Sequence, residues 1–180
     1  MKKHYFIGIK VPEDTGIPIV KERAKTNVKE THKVLPVAED LHITLYYLGH
    51  VEEDILSILL QALRDIQWDP FTLTTSGLSH FGNAETPRVL YTALEASEPL
   101  HLLQKEVVQV LSETIEVKDA NDFTAHITIA KKWAAAKPLN IKDFQLAKMH
   151  FDVSHFSIFK INNDHLPRYE EIHSIHCRGV

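Results

Sequence analysis

The 180 residues contain one cysteine, Cys177, so no disulfide can close within the chain and the small disulfide-stapled folds are excluded. No apolar run approaches the ~20 residues of a membrane-spanning helix. The opening MKKHYFIGIKVPED places an apolar stretch after two lysines, but Lys10, Pro12 and Glu13 interrupt it too early for a signal-peptide core. Glycine is scarce, at six residues, and no Ser/Gly-rich linker divides the chain; residues 1–180 are therefore expected to form one domain, or two closely packed lobes. A large excess of either charge sign is also missing, with 20 Lys and Arg against 24 Asp and Glu. A formal net charge of -4 does not suit a protein that coats long nucleic acid by neutralising phosphates, although a pocket for one phosphate needs only a few local donors. The missing disulfides fit a reducing cytoplasm, and with no spanning run the chain is expected to be cytoplasmic and not to enter a membrane; a monomer is the expected state.

Hydrophobic residues make up 44% and charged residues 24%, a balance that supports a substantial core and gives no sign of disorder. Histidine is the one abundance, with twelve copies. Along the chain, His4 to Val11 reads as a strand ending at Pro12, and Asp14 to about Lys29 as a helix with Ile17, Val20, Ala24 and Val28 at helical spacing. His42 to Leu48 is a strand stopped by Gly49, and Glu53 to Ile66 is an amphipathic helix. Phe71 to Leu78 and Arg88 to Leu94 read as strands about a Gly82-Asn83 loop, followed by a helix from Ser97 or Glu98 to about Glu113. His126 to Ala130, Met149 to Ile161 and Tyr169 to His176 complete the strands. The expected class is α+β, with mainly antiparallel sheets and helices packed outside.

One tetrapeptide occurs nearly twice. His42-Ile43-Thr44-Leu45 and His126-Ile127-Thr128-Ile129 each open an expected strand, one in each half of the chain. Strand side chains alternate between faces, so each motif offers an imidazole and a hydroxyl on one side and an apolar anchor on the other. Brought to one groove, the pair suits phosphodiester hydrolysis. A neutral imidazole can take a proton from water while an imidazolium gives one to the departing alkoxide. Threonine hydroxyls can donate to the non-bridging phosphoryl oxygens. A lone His-x-Thr is ordinarily a half-buried polar pair; it is the duplication at matching positions that points to a site. This chemistry requires no metal and no cofactor in principle.

Leu41-His42-Ile43-Thr44-Leu45-Tyr46-Tyr47-Leu48-Gly49 and Ala125-His126-Ile127-Thr128-Ile129-Ala130-Lys131, together with Tyr5-Phe6-Ile7-Gly8-Ile9, Phe81-Gly82, Pro87-Arg88-Val89-Leu90-Tyr91 and Arg168-Tyr169, resemble the motifs of the two-histidine phosphoesterases. The closest resemblance is to their LigT-like branch, the RNA 2',3'-cyclic phosphodiesterases, and it covers nearly the whole chain. It implies a bilobal α+β fold with pseudo-twofold symmetry and a central cleft, and opening of RNA 2',3'-cyclic phosphates to 2'-phosphomonoesters, with 2'-5' RNA ligation as the reverse-type reaction. It further implies His42 as proton donor and His126 as acceptor, with RNA 3' ends such as tRNA fragments, or small cyclic phosphodiesters, as partners. Lys131 stands where the family has arginine, which turns a two-pronged phosphate contact into a point charge, and Ala125 stands where it has proline.

Thr44 and Thr128 are expected to hold the phosphate, with Lys131 and Arg88 as further contacts. Phe6 and Tyr169, and with them Tyr5 and Tyr46, are candidates for stacking on a base, against the plainer reading of aromatics as core. His150, His155, His165, His173 and His176 crowd the C-terminal part, but on a continuous strand His150 and His155 differ by an odd step and would face opposite ways, which is poor geometry for a shared metal. Other readings are a phosphodiesterase for another small cyclic or 2'-5' phosphodiester, a non-catalytic RNA-end binder, and a metal-binding protein.

Overall fold

The computed structural model describes residues 2–119 and 121–179. Among the described residues, nine strands form two sheets in which every pairing is antiparallel. The first sheet has the order β3-β1-β8-β9, from β1 (His4–Lys10), β3 (His42–His50), β8 (His155–Ile161) and β9 (Tyr169–His176). The second has the order β2-β6-β5-β4-β7, from β2 (His32–Val34), β4 (Phe71–Gly82), β5 (Pro87–Leu94), β6 (His126–Trp133) and β7 (His150–Val153). The helices are α1 (Glu13–Arg23), α2 (Val28–Thr31), α3 (Glu53–Arg64) and α4 (Glu98–Ser112). The α+β class and the paired antiparallel sheets agree with the sequence reading, and no helix of the described residues is long and apolar enough to cross a membrane.

Each sheet buries one face. Tyr5, Ile7 and Ile9 of β1 and Ile43 and Leu45 of β3 join Leu56, Leu59 and Leu63 of α3 in the core, as do Leu90 of β5, Ile127 and Ile129 of β6, and Leu103, Val107 and Leu111 of α4. The spacing of those leucines and valines at three and four residues gives α3 and α4 their apolar stripes. Ser97 caps α4, its hydroxyl accepting the N–H of Leu100 at 3.3 Å. Tyr5 is 3% exposed within this core, which leaves it no face for a base.

The expected helix from Asp14 to Lys29 is broken. It stops at Arg23, and the short α2 restarts at Val28. Thr26 Oγ1 donates to the Arg23 carbonyl at 2.7 Å, while the Asn27 amide reaches the carbonyl of Pro138 and its oxygen accepts the N–H of Asn140. Side-chain partners thus replace the next helical turn. The expected strand Met149 to Ile161 is two strands in different sheets, parted at Ser154: β7 pairs with β4, and β8 with β1 and β9. A β-prone sequence gives no sign of where the chain changes partner. The parity argument for His150 and His155 fails with it, since they do not share a strand. His150 Nδ1 lies 2.8 Å from Thr74 Oγ1, and the His155 ring lies 5.3 Å from that of His176.

Candidate active site

His42 opens β3 and His126 opens β6, one in each sheet, and the two strands come together in the middle of the molecule. The motif alternation is as expected: in both, the apolar second and fourth residues are buried while His42, Thr44, His126 and Thr128 are partly open. A cavity of about 550 Å³ is lined jointly by Thr44 and His126, with Tyr47, Phe81 and Phe123 among its walls.

The two imidazoles are held in the same way. His42 Nδ1 is 2.7 Å from the carbonyl of Asp40, and His126 Nδ1 is 2.7 Å from the carbonyl of Thr124. A carbonyl can only accept, so Nδ1 carries the hydrogen in both rings and the neutral Nε2 is left with a lone pair. At His42 that lone pair meets Thr44 Oγ1 at 3.1 Å, and the hydroxyl donates. Each ring is also set among aromatics. Tyr169 meets His42 edge to face at 4.8 Å, and Phe6 underlies it at 4.5 Å. Phe81 and Tyr91 flank His126 at 5.0 and 5.1 Å.

Burial lowers both histidine pKa values. His42 is brought down to about 4, first by desolvation and then by the positive charges of Lys131 and His126, against the hydrogen bond to Asp40, which works the other way. That His42 feels charge on His126 and Lys131 is the electrostatic sign that both motifs share one space. His126 is also lowered, again chiefly by desolvation, with its bond to Thr124 opposing.

Matching irregularities follow the two motifs. Gly8 pairs with Thr44 and Ile7 with Tyr46, so Leu45 is an extra, bulged residue in β3. Tyr91 pairs with Thr128 and Leu90 with Ala130, so Ile129 is the same in β6. A bulge shifts the alternation by one. Lys131 therefore falls opposite Val89, which lies on the side of β5 that Tyr91 shares, and its Nζ reaches Tyr169 Oη at 3.3 Å. By strict alternation Lys131 would face away from Thr128. The bulge carbonyl of Ile129 is taken by the buried Arg23, whose Nη1 donates to it at 2.9 Å and to the Pro36 carbonyl at 2.6 Å.

The remaining expected contacts are distributed differently. Tyr169 is half-buried beside His42 and Lys131. Phe6 is 3% exposed, stacked on Phe159 at 4.9 Å and lying under His42; it is the floor of the imidazole and has no open face for a base. Tyr46 Oη accepts the N–H of Lys118 at 3.1 Å. Arg88 is exposed, bulged from β5 beside Val89, at the end of the strand nearer Lys131. Residue patterns gave no hint of Asp40, Thr124 or Arg23, because two of them act through backbone carbonyls and the third bonds to a bulge. Among the described residues, no group of three or more His, Cys, Asp or Glu side chains is placed to hold a metal ion.

A family model described as the 2'-5' RNA ligase superfamily matches residues 19–165. The RNA 2',3'-cyclic phosphodiesterase of Bacillus subtilis (strain 168) is 29% identical over 96% of this chain and 95% of its own length. That of Geobacillus stearothermophilus is 26% identical over 99% of this chain, which spans 59% of the length of that relative. In fold, the crystal structure of E. coli LigT complexed with 3'-AMP superposes with a TM-score of 0.81, covering 99% of both chains at 20% identity.

Proposed function

The chain belongs to the 2'-5' RNA ligase superfamily, and we propose that it opens RNA 2',3'-cyclic phosphate ends to 2'-phosphomonoesters by acid–base catalysis between His42 and His126. The observation that carries the reading is the shared tethering of the two rings: each gives its Nδ1 hydrogen to the carbonyl two residues earlier, which leaves Nε2 for the reaction. The relatives named RNA 2',3'-cyclic phosphodiesterase support the substrate class.

In the reaction, water attacks phosphorus as the bond to the ribose 3' oxygen breaks. His126 Nε2 takes the water proton, and the His42 imidazolium gives its Nε2 proton to the departing 3' oxygen. Thr44 and Thr128 donate to the non-bridging oxygens, and Lys131 supplies positive charge beside them. The phosphate monoanion itself raises both histidine pKa values on binding, which lets a ring with a pKa of about 4 in the free protein hold a proton in the complex. RNA 3' ends, including those of cleaved tRNA, are the partners this site suits, and 2'-5' joining is the reverse-type use of the same groups.

One observation favours a second assignment with the roles exchanged. His42 is lowered by burial and by the positive charge of Lys131, whereas burial is what lowers His126, so the Lys131 charge opposes a proton on His42. A cyclic substrate with sulfur at the bridging 3' position separates the two, because a thiolate leaves without protonation. It should restore turnover to His42→Ala and not to His126→Ala. Restoration of His126→Ala alone reverses the roles, and failure of wild-type protein to hydrolyse a nucleoside 2',3'-cyclic phosphate rejects the function.

A further inference from the structure

Asp40 is 2% exposed on a 3-10 turn immediately before β3, and its two ends serve different parts of the site. Its main-chain carbonyl accepts from His42 Nδ1 at 2.7 Å. Its carboxylate accepts the Arg168 N–H at 2.8 and 2.9 Å through both oxygens and the Tyr169 N–H at 3.1 Å. These bonds join the start of β3 to the start of β9, at opposite edges of the four-stranded sheet. Among the described residues Asp40 forms no ion pair, so backbone N–H groups alone compensate its charge, as in other anion-binding nests. Bonds to an ionised acceptor are the stronger kind.

We propose that Asp40 is a positioning residue that fixes the His42 tautomer and the Tyr169 ring above it as one rigid unit. The residues leading into β9, Asn163 to Pro167, are exposed, and the neck of that hairpin is closed by the Asn162 N–H bonding to the Arg168 carbonyl at 2.7 Å. Inward, the anchor of the segment is the Asp40 carboxylate. Tyr169 in turn meets Lys131 of the other sheet at 3.3 Å, so slack at Asp40 passes to both sides of the cleft. The charged and titratable groups around His42 are Lys131 and His126 on β6, Lys10 opposite it on β1, Tyr169 on β9 and Asp40 itself.

The kinetic part of the test rests on the function proposed above; the titration part does not. Asp40→Ala and Asp40→Asn are compared with wild type by NMR titration of the His42 ring, by thermal melting, and by turnover of a nucleoside 2',3'-cyclic phosphate. Alanine frees Tyr169, water reaches His42, and its pKa should rise towards the ordinary histidine value. kcat should fall on the order of 10- to 100-fold, the scale for misplacing a reacting group by about an ångström, with KM within about threefold. Asparagine keeps the Oδ1 acceptor shared by both N–H groups and should recover most of both changes. If alanine leaves the protein too unstable to assay, Asp40→Ser takes its place. An Ala variant with an unmoved His42 titration and unchanged kcat overturns the proposal, whatever its melting temperature. So does an equal fall of the His42 pKa in Ala and Asn, which would mean that the carboxylate acts by charge alone. Absence of wild-type turnover would reject the enzymatic function while the titration still judged Asp40.

Discussion

Lys131 Nζ lies 3.3 Å from Tyr169 Oη, so a single hydrogen bond joins the five-stranded sheet to the four-stranded sheet beside the paired histidines. Tyr169 also sets the edge of its ring against His42 at 4.8 Å. The cation, the phenol and one imidazole thus form a contiguous wall, and any change in one is felt by the other two. Hydrogen bonds of tyrosine to a charged group are among the stronger side-chain contacts, but this one is half-exposed and is free to yield to a phosphate.

Replacing either His42 or His126 with alanine should cost kcat about 10²-fold or more, the usual scale for losing a general acid or base. Activity of the wild-type protein should persist in EDTA, since the proposed steps move protons only from water to one imidazole and from the other imidazole to the departing oxygen. Steady-state kinetics on a nucleoside 2',3'-cyclic phosphate, with and without chelator, checks both. Near-wild-type turnover in either variant rejects that residue's role.

The pH profile should be bell-shaped and displaced to the acid side. Catalysis needs one ring protonated and the other neutral, and in the free protein His42 sits at about 4 with His126 also lowered by burial. The singly protonated state is therefore most populated below the ordinary histidine pKa of ~6.5, and kcat/KM should decline as pH rises through neutrality. Bound phosphate raises both values, so the kcat optimum should lie at higher pH than that of kcat/KM. Coincident optima near pH 8 would contradict this order.

Lys131→Met removes the point charge while keeping most of the side-chain volume. KM should rise, and the His42 pKa should move up because the Lys131 charge that lowers it is gone. Arg23→Leu acts on the same lysine from beneath: it leaves the Ile129 bulge carbonyl without its donor, at a cost of ~1–3 kcal/mol for a buried unsatisfied group. Melting curves should show that loss for Arg23→Leu and almost none for Lys131→Met. Equal stabilities would mean that the bulge does not depend on the arginine.

Gly8 is the close-approach point of β1 and β3. A Cβ there would lie 2.7 Å from the Ile43 carbonyl oxygen, and that oxygen is backbone and cannot swing aside. Gly8→Ala should push the strands apart at the pair Gly8–Thr44, destabilising the fold by ~1–3 kcal/mol, the range for overpacking, and lowering kcat by moving Thr44 and His42. Thermal melts with turnover assays decide it; an unaffected melting temperature would show that the strand contact relaxes freely.

Much of the chemistry was legible in the linear order of residues. The repeated His-x-Thr, the alternation that places His and Thr on one face, and the leucine stripes of α3 and α4 are local properties, set by strand period 2 and helix period 3.6. They hold wherever the element lies, and so they survive folding unchanged. For Phe6 the sequence leaves open both a stacking face and a place in the core, because period alone cannot tell an open face from one covered by a neighbouring ring, here His42 on one side and Phe159 on the other.

The amino-acid sequence by itself determined the element types, the apolar faces and the presence of two imidazoles each paired with a hydroxyl. Only the tertiary structure decided that β7 and β8 part into separate sheets, that bulges at Leu45 and Ile129 turn Lys131 towards the cleft, and that Asp40 bonds both to His42 and to Arg168, 128 residues from it in the chain. Strand partners, bulges and backbone acceptors depend on which distant group supplies the missing hydrogen bond. No local pattern encodes that partner, because every residue carries the same N–H and C=O, proline's missing N–H apart.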